Sequence, residues 1–257
     1  MKIAVVIRQV PDLIEPLEVD SSGQALDLSS ATFILNESDD HALEQALLLK
    51  EAQGGSVSVL AVDFGDVDNS LYAAAAKGAD QLIKLLWDDP NRPPSPQQAA
   101  RMFAEVLRAL APDLVLVGVQ AHDELDGVLP AELAVCLGWP YVGVVRGVKA
   151  ADGQGLLVRK EFPGAVMAEF AVRLPAVLGI LGAEQPPRYV PVSRIRTAMK
   201  SSQIAEQETP APAWTARVAV ARLSPPAPAE RAEMLTGSAE DVAQRIAALL
   251  EEKGLLR

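Results

Sequence analysis

Residues 113–140 read DLVLVGVQAHDELDGVLPAELAVCLGWP, and three kinds of structure follow one another in that stretch. DLVLVG (Asp113–Gly118) is apolar after its aspartate, as in a strand covered on both faces. An acidic turn follows, and then a helical segment. Strand, acidic turn and helix together make one unit of an α/β sheet. What the turn is built to hold is the functional question.

The same unit recurs N-terminal to it. KIAVVI (Lys2–Ile7), SVSVLAV (Ser56–Val62) and QLIKLLW (81–87) read as strands. Helices are predicted over Asn36–Gly55, Ser70–Asp80 and 96–112. Asn36 or Ser38 is expected to cap the first, and Gly54-Gly55 to stop it. QVPDLIEP and DSSGQALDL read as irregular or exposed. Strands and helices alternate through residue 140, which predicts a doubly wound, mostly parallel α/β sheet with helices on both faces. Beyond it lies a run of β-type segments around DGQG. Right-handed crossovers bring the loops after the strands to one edge, where open sheets bind small molecules. The expected site walls are therefore the strand ends near Ile7, Val62 and Gly118.

Composition removes several classes of function. With 257 residues and 49% hydrophobic content, the chain can bury a large core. A net charge of −11 argues against a general nucleic-acid binder. The lone Cys136 excludes an internal disulfide and reads as a small buried hydrophobe. No apolar run approaches the ~20 residues of a membrane span. The apolar stretch Ile3–Ile7 is too short for a signal peptide, so a cytoplasmic protein, or one processed into an organelle, without membrane insertion is expected. GxGxxG and GxxxxGK[ST] are missing, His41 and His122 have no partner at metal-ligand spacing, and no catalytic triad assembles. No catalytic or metal residue is assigned. Any chemistry is expected to come through a bound cofactor or a partner.

The character changes near residue 188. PPRYVPVSRIRTAMK carries Arg188, Arg194, Arg196 and Lys200 without an acid. SSQIAEQETPAPAW and SPPAPAE are linker-like, and SAEDVAQRIAALLEEKGLLR forms a closing helix begun by Ser238 and Asp241. Its stripe of Val242, Ile246, Leu249 and Leu250 needs a surface to cover it, its own domain's or another subunit's. The expected organisation is an α/β domain over 1–200, then an arm and helix over 201–257 that pack on a partner.

An ordered set of segments resembles the beta subunit of electron transfer flavoproteins. RQVPD (Arg8–Asp12) is similar to the family's K-Q-V-P-D, and LNESDDHALEQALLLKE to its N-P-F-D-E-x-A-L-E-E-A-L-x-L-K-E. AAAAKGAD, DLVLVGVQAHD, LGWP, LPAV and PPRY match at corresponding places. The resemblance implies an adenine-nucleotide-binding, Rossmann-like fold. It also implies a heterodimer with an alpha subunit that binds most of an FAD, dehydrogenase donors, and a quinone reductase or other acceptor. The segment RYVPVSRIR resembles the family's recognition loop, which makes Arg188, Tyr189, Val192, Arg194, Ile195 and Arg196 candidates for partner binding. Val10–Ile14 and Lys160–Val166 are expected to face the flavin, although KEFPGAV has lost the Asp and second Gly of R-E-V-D-G-G-L.

The resemblance also implies AMP, or a second FAD, in this subunit. The residues so implicated are Val6, Asn36, Asp63, Phe64, Gln120, Ala121, Asp123, Gly127, Val128 and Leu129. The family's phosphate loop, Q-A-x-D-D-D-x-N-Q-T-G, here has Gly127, Val128 and Leu129 at the Asn, Gln and Thr positions and Pro130 at the glycine. Three side-chain donors and one backbone N–H are lost at the helix N-terminus where an anion would bind. Asp126 is expected to cap that helix instead. Three readings stand: an electron-carrier subunit, a nucleotide-binding module without redox role, and a scaffold subunit with no nucleotide.

Overall fold

The computed structural model describes all residues except 15, 90–91, 152–154, 210–219, 226, 228–231 and 257. The DGQG turn and most of the PAPAW and PPAPAE stretches therefore lie outside the described residues. Two compact units are present, Met1–Ala221 and Arg222–Arg257.

The first unit is built around β1 (Lys2–Val6), an interior strand of its sheet. β4 (Ser56–Val62) and β5 (Gln81–Leu85) lie parallel on one side of it, and β6 (Leu114–Gly118) lies parallel on the other. β10 (Ala176–Ile180) follows β6, then β7 (Tyr141–Ala150), and both remain parallel. β8 (Gly155–Phe162) and β9 (Val166–Arg173) continue as an antiparallel edge ribbon. β11 (Ile204–Gln207) pairs parallel with β5 at the opposite edge, giving the order β11-β5-β4-β1-β6-β10-β7-β8-β9. This is the doubly wound, mostly parallel, Rossmann-like sheet the alternation predicts.

Alternate residues of β1 point to opposite faces, and each face has its own core. Ile3, Val5 and Ile7 pack with α1 (Glu37–Gln53) and α2 (Val67–Lys77). Ala4 and Val6 pack with α3 (Pro96–Leu110) and α4 (Leu129–Leu137). Because β1 is apolar and buried from Ile3 onward, it serves both cores at once. α3 starts at a capping box, in which Ser95 and Gln98 satisfy each other's backbone N–H groups and Pro96 takes the first turn. α1 ends at Gly54, as expected, whereas Asn36 occupies its N-cap without a side-chain bond to the helix.

Three expectations change. Gln9–Pro11 is not irregular: it forms β2 and pairs antiparallel with β3 (Phe33–Leu35). The basic segment expected as a loop is helical from Val192, forming α5 (Val192–Ser201), which packs on α2. Part of the stretch read as linker is β11. Strand pairing explains both strand differences, since β5 and β3 each leave an open edge that a short neighbouring segment can satisfy.

The second unit holds α6 (Ala239–Glu252), which opens with the expected Ser238–Asp241 capping box. Taken by itself, it has no buried residue. Among the described residues no helix is long and apolar enough to cross a membrane.

Candidate functional site

The chain runs from β1 to β4 and β5 on one side, then returns across β1 to β6. The strand order reverses between β1 and β6, and the crevice beyond their carboxyl ends is where this topology exposes a site. Arg8, two residues past β1, fills that crevice. Its Nε and Nη2 donate to Asp39 Oδ2 and Oδ1 at 3.0 Å each, its Nη1 to Glu124 Oε2 at 2.9 Å, and its Nη2 also to the Gly118 carbonyl at 3.0 Å. Asp39, fully buried in the first turn of α1, accepts the Arg8 and Gly118 backbone N–H groups as well, at 2.9 and 2.7 Å. One guanidinium thus joins the ends of β1 and β6, the start of α1 and the acidic turn. Burial opposes its charge, but the Asp39 and Glu124 carboxylates outweigh that and raise its pKa. Burial also lifts Glu124 above the ordinary glutamate value, against the pull of Arg8.

Gly118 makes this packing possible. A Cβ there would meet the Asp39 carboxylate, the Asp39 backbone N at 2.7 Å and the Ser38 carbonyl carbon at 2.7 Å.

The acidic turn is tied down by its own groups. Gln120 Nε2 donates to the Glu124 and Leu125 carbonyls at 2.9 and 3.1 Å. Asn36 Nδ2 donates to the Gln120 carbonyl at 3.1 Å, and His122 Nε2 donates to the Pro11 carbonyl at 2.8 Å. Ala121 is buried. Gly127 adopts φ 59°, and a Cβ on it would stand 2.9 Å from the Val119 carbonyl oxygen. Asp126 does not cap α4. Val128 holds that position without a side-chain bond, because Pro130 in the first turn starts the helix two residues later than the acid could reach.

The remaining candidates of the nucleotide set lie around the same edge. Val6 and Leu129 are fully buried in one core cluster. Phe64 packs edge-on against Phe33, with ring centroids 5.3 Å apart. Asp63 lies 3.8 Å from Lys84 Nζ, which also meets Asp68 at 3.1 Å and Glu206 at 3.2 Å. Phe64 and Asp123 line a cavity of about 210 Å³ together with Ile7, Val62, Pro94 and Phe103. Asn36 and Gln120 are not among its lining residues and are held in the hydrogen bonds just described.

The partner-binding candidates divide. Arg188 is clamped onto α1: its Nε and Nη2 donate to the nearly buried Glu44 at 2.8–3.0 Å and its Nη1 to Glu51 at 2.6 Å. Hydrogen bonds to both carboxylates raise its pKa, and Glu51 is lowered in return. Tyr189, Val192, Arg194 and Arg196 are exposed, and Ile195 is half-buried. No ion pair engages Arg194 or Arg196 among the described residues. Cys136 is half-buried and packs on the core beneath α4.

Arg8, Asp39 and Glu124 were not in the sequence-derived set. The available signal was a cation directly after an apolar strand, with buried-helix and turn acids to receive it.

The family model described as "Electron transfer flavoprotein domain" matches residues 26–214. The electron transfer flavoprotein subunit beta of Methylophilus methylotrophus is 34% identical over 201 residues, covering 77% of this chain and 76% of its own. The subunit beta of Clostridium acetobutylicum is 33% identical over 196 residues (76% and 74%). The mitochondrial subunit beta of Oryza sativa subsp. indica is 31% identical over 217 residues, 82% of each chain. The chain belongs to the electron transfer flavoprotein beta subunit family.

Proposed function

We propose that the chain is the beta subunit of a cytoplasmic, heterodimeric electron transfer flavoprotein. In this reading it passes electrons from dehydrogenases to a quinone reductase or other acceptor, through an FAD bound mainly by an alpha-type partner. The observation that supports it best is an uncovered face at the sheet edge. Pairing of β8 with β9 sets Phe162 opposite Val166, Lys160 opposite Ala168 and Val158 opposite Phe170, all on one face. Leu156, Val158 and Val172 on that face belong to the core that α1 covers. Phe162, Val166 and Phe170 lie beyond it and are 36%, 56% and 39% exposed. A contiguous apolar row of this kind suits a protein partner.

FAD, when bound, supplies the redox chemistry. The part of this chain is to wall the flavin and dock the complex. Leu13 and Ile14, 61% and 87% exposed, and the Phe162–Val166 turn offer apolar surface that fits a flavin ring. Exposed Tyr189 and Val192 beside Arg194 and Arg196 suit an acidic partner surface, where charge chiefly speeds encounter.

Co-expression with an alpha-type partner tests the reading. The expected product is a yellow complex that takes up electrons from a reduced dehydrogenase. Phe170→Glu is expected to abolish co-purification while leaving the melting of the chain alone nearly unchanged. A colourless complex, or one indifferent to Phe170→Glu, would count against it.

A further inference from the structure

We infer that this subunit keeps no nucleotide of its own, and that the Arg8–Asp39–Glu124 network holds together the elements a buried nucleotide would otherwise bridge. The inference goes beyond the electron-carrier reading and needs it only for the partner used in the test.

A nucleotide phosphate at this edge needs free donors or a free cation. Arg8 and Lys84 are both committed. Arg8 is engaged by two carboxylates and a carbonyl, and Lys84 is shared among Asp63, Asp68 and Glu206. The Gln120 amide is spent on the carbonyls of its own turn. At the start of α4 the side chains are Gly127, Val128 and a fully buried Leu129, and Pro130 has no N–H to give. An amide side chain cannot simply be restored at 127, since a Cβ there lies 2.9 Å from the Val119 carbonyl oxygen and 3.0 Å from Gln120. What remains is a cavity of about 210 Å³, below the roughly 300–1,000 Å³ of ordinary ligand pockets. Asp123, Glu124 and Arg8 stand on its wall, and because Arg8 already pairs with Glu124 it offers an entering phosphate no unpaired positive charge. These residues do not fit AMP or a second FAD. Meanwhile Arg8 joins β1, α1, β6 and the 119–128 turn without either.

The full chain, purified with its alpha-type partner, is denatured and the released nucleotides are separated and counted. One FAD per complex and no AMP is the expected result. AMP approaching one per complex, or flavin approaching two, overturns the inference and leaves the electron-carrier reading intact. Absence of all flavin overturns that reading, while absence of AMP in the same sample still supports the closed site. Loss of a weakly held nucleotide during purification is covered by adding AMP in large excess to the complex. A ligand that binds the native state would raise Tm by several degrees. An unchanged Tm supports closure, and a rise overturns it. Arg8→Met leaves the buried Asp39 carboxylate without its cation and unties the bridge, and is expected to lower Tm with the AMP count still zero. A variant as stable as the parent would overturn the bridging role given to the network.

Discussion

At the scale of single residues, Gly118 and Glu124 set what the crevice tolerates. Gly118 is required by close approach, not by its backbone angle, because the first turn of α1 lies where its Cβ would be. Gly118→Ala is expected to cost about 3 kcal/mol through overpacking against backbone, a Tm drop of roughly 6–12 °C in thermal unfolding. Glu124 makes a pH prediction. Burial raises its folded pKa above the usual 4.5, so the folded chain binds this proton more readily than the unfolded one. Its contribution to stability is fully present below about 4.5 and declines as pH rises through the raised folded value. A plot of Tm against pH from 4.5 to neutrality should therefore slope down less steeply in Glu124→Gln than in the parent. Parallel curves would show that the folded pKa is not raised. The sequence showed Glu124 only as one acid in an acidic turn, because its partner lies 116 residues away.

At the scale of elements, the β8–β9 turn and the clamp of Arg188 on α1 carry contrasting lessons. Ala165 stands where the resembled motif has its second glycine, yet the turn keeps φ 60° there. A left-handed alanine costs roughly 1–2 kcal/mol, and glycine returns part of that as unfolded-chain entropy. Ala165→Gly is expected to stabilise by about 0.5 kcal/mol, measurable as a higher midpoint in denaturant at unchanged slope. The loss of that glycine was legible in the sequence. The persistence of the turn was not, because backbone angles at one position answer to the pairing of the strands it joins. Arg188 shows the reverse. The run of arginines read as one docking surface, but Glu44 and Glu51 hold Arg188 to α1 while Arg194 and Arg196 remain exposed. Arg188→Ala leaves Glu44 buried without its cation and is expected to cost about 2 kcal/mol. Arg194→Glu is expected to leave Tm unchanged and to slow electron transfer from the partner dehydrogenase, with a weaker dependence on salt. Equal loss of stability in both variants would contradict the division.

At the scale of the whole molecule, the edge ribbon β8–β9 and the stripe of α6 are apolar surfaces that lack a cover within their own unit among the described residues. A 14-residue helix with no buried side chain is marginal in isolation. Amide exchange over Ala239–Glu252 is therefore expected to be fast in the purified chain and slowed at least about tenfold in the complex with an alpha-type partner. Exchange equally fast in both states would mean that α6 is not part of the subunit interface.

The sequence by itself determined the alternation of apolar strands and helices, the helix stops at Gly54 and Gly78, the Ser238 cap and the family. These are local patterns, carried by periodicity and by residues within a turn of one another. Tertiary structure alone decided that β10 inserts between β6 and β7, that Arg8 meets Asp39 and Glu124, and that Arg188 meets Glu44 across 144 residues. Periodicity says which face of an element is buried, but not which element lies beside it. A charged side chain's role depends on that neighbour, because only the folded chain fixes the distance to a countercharge and the solvent left between them.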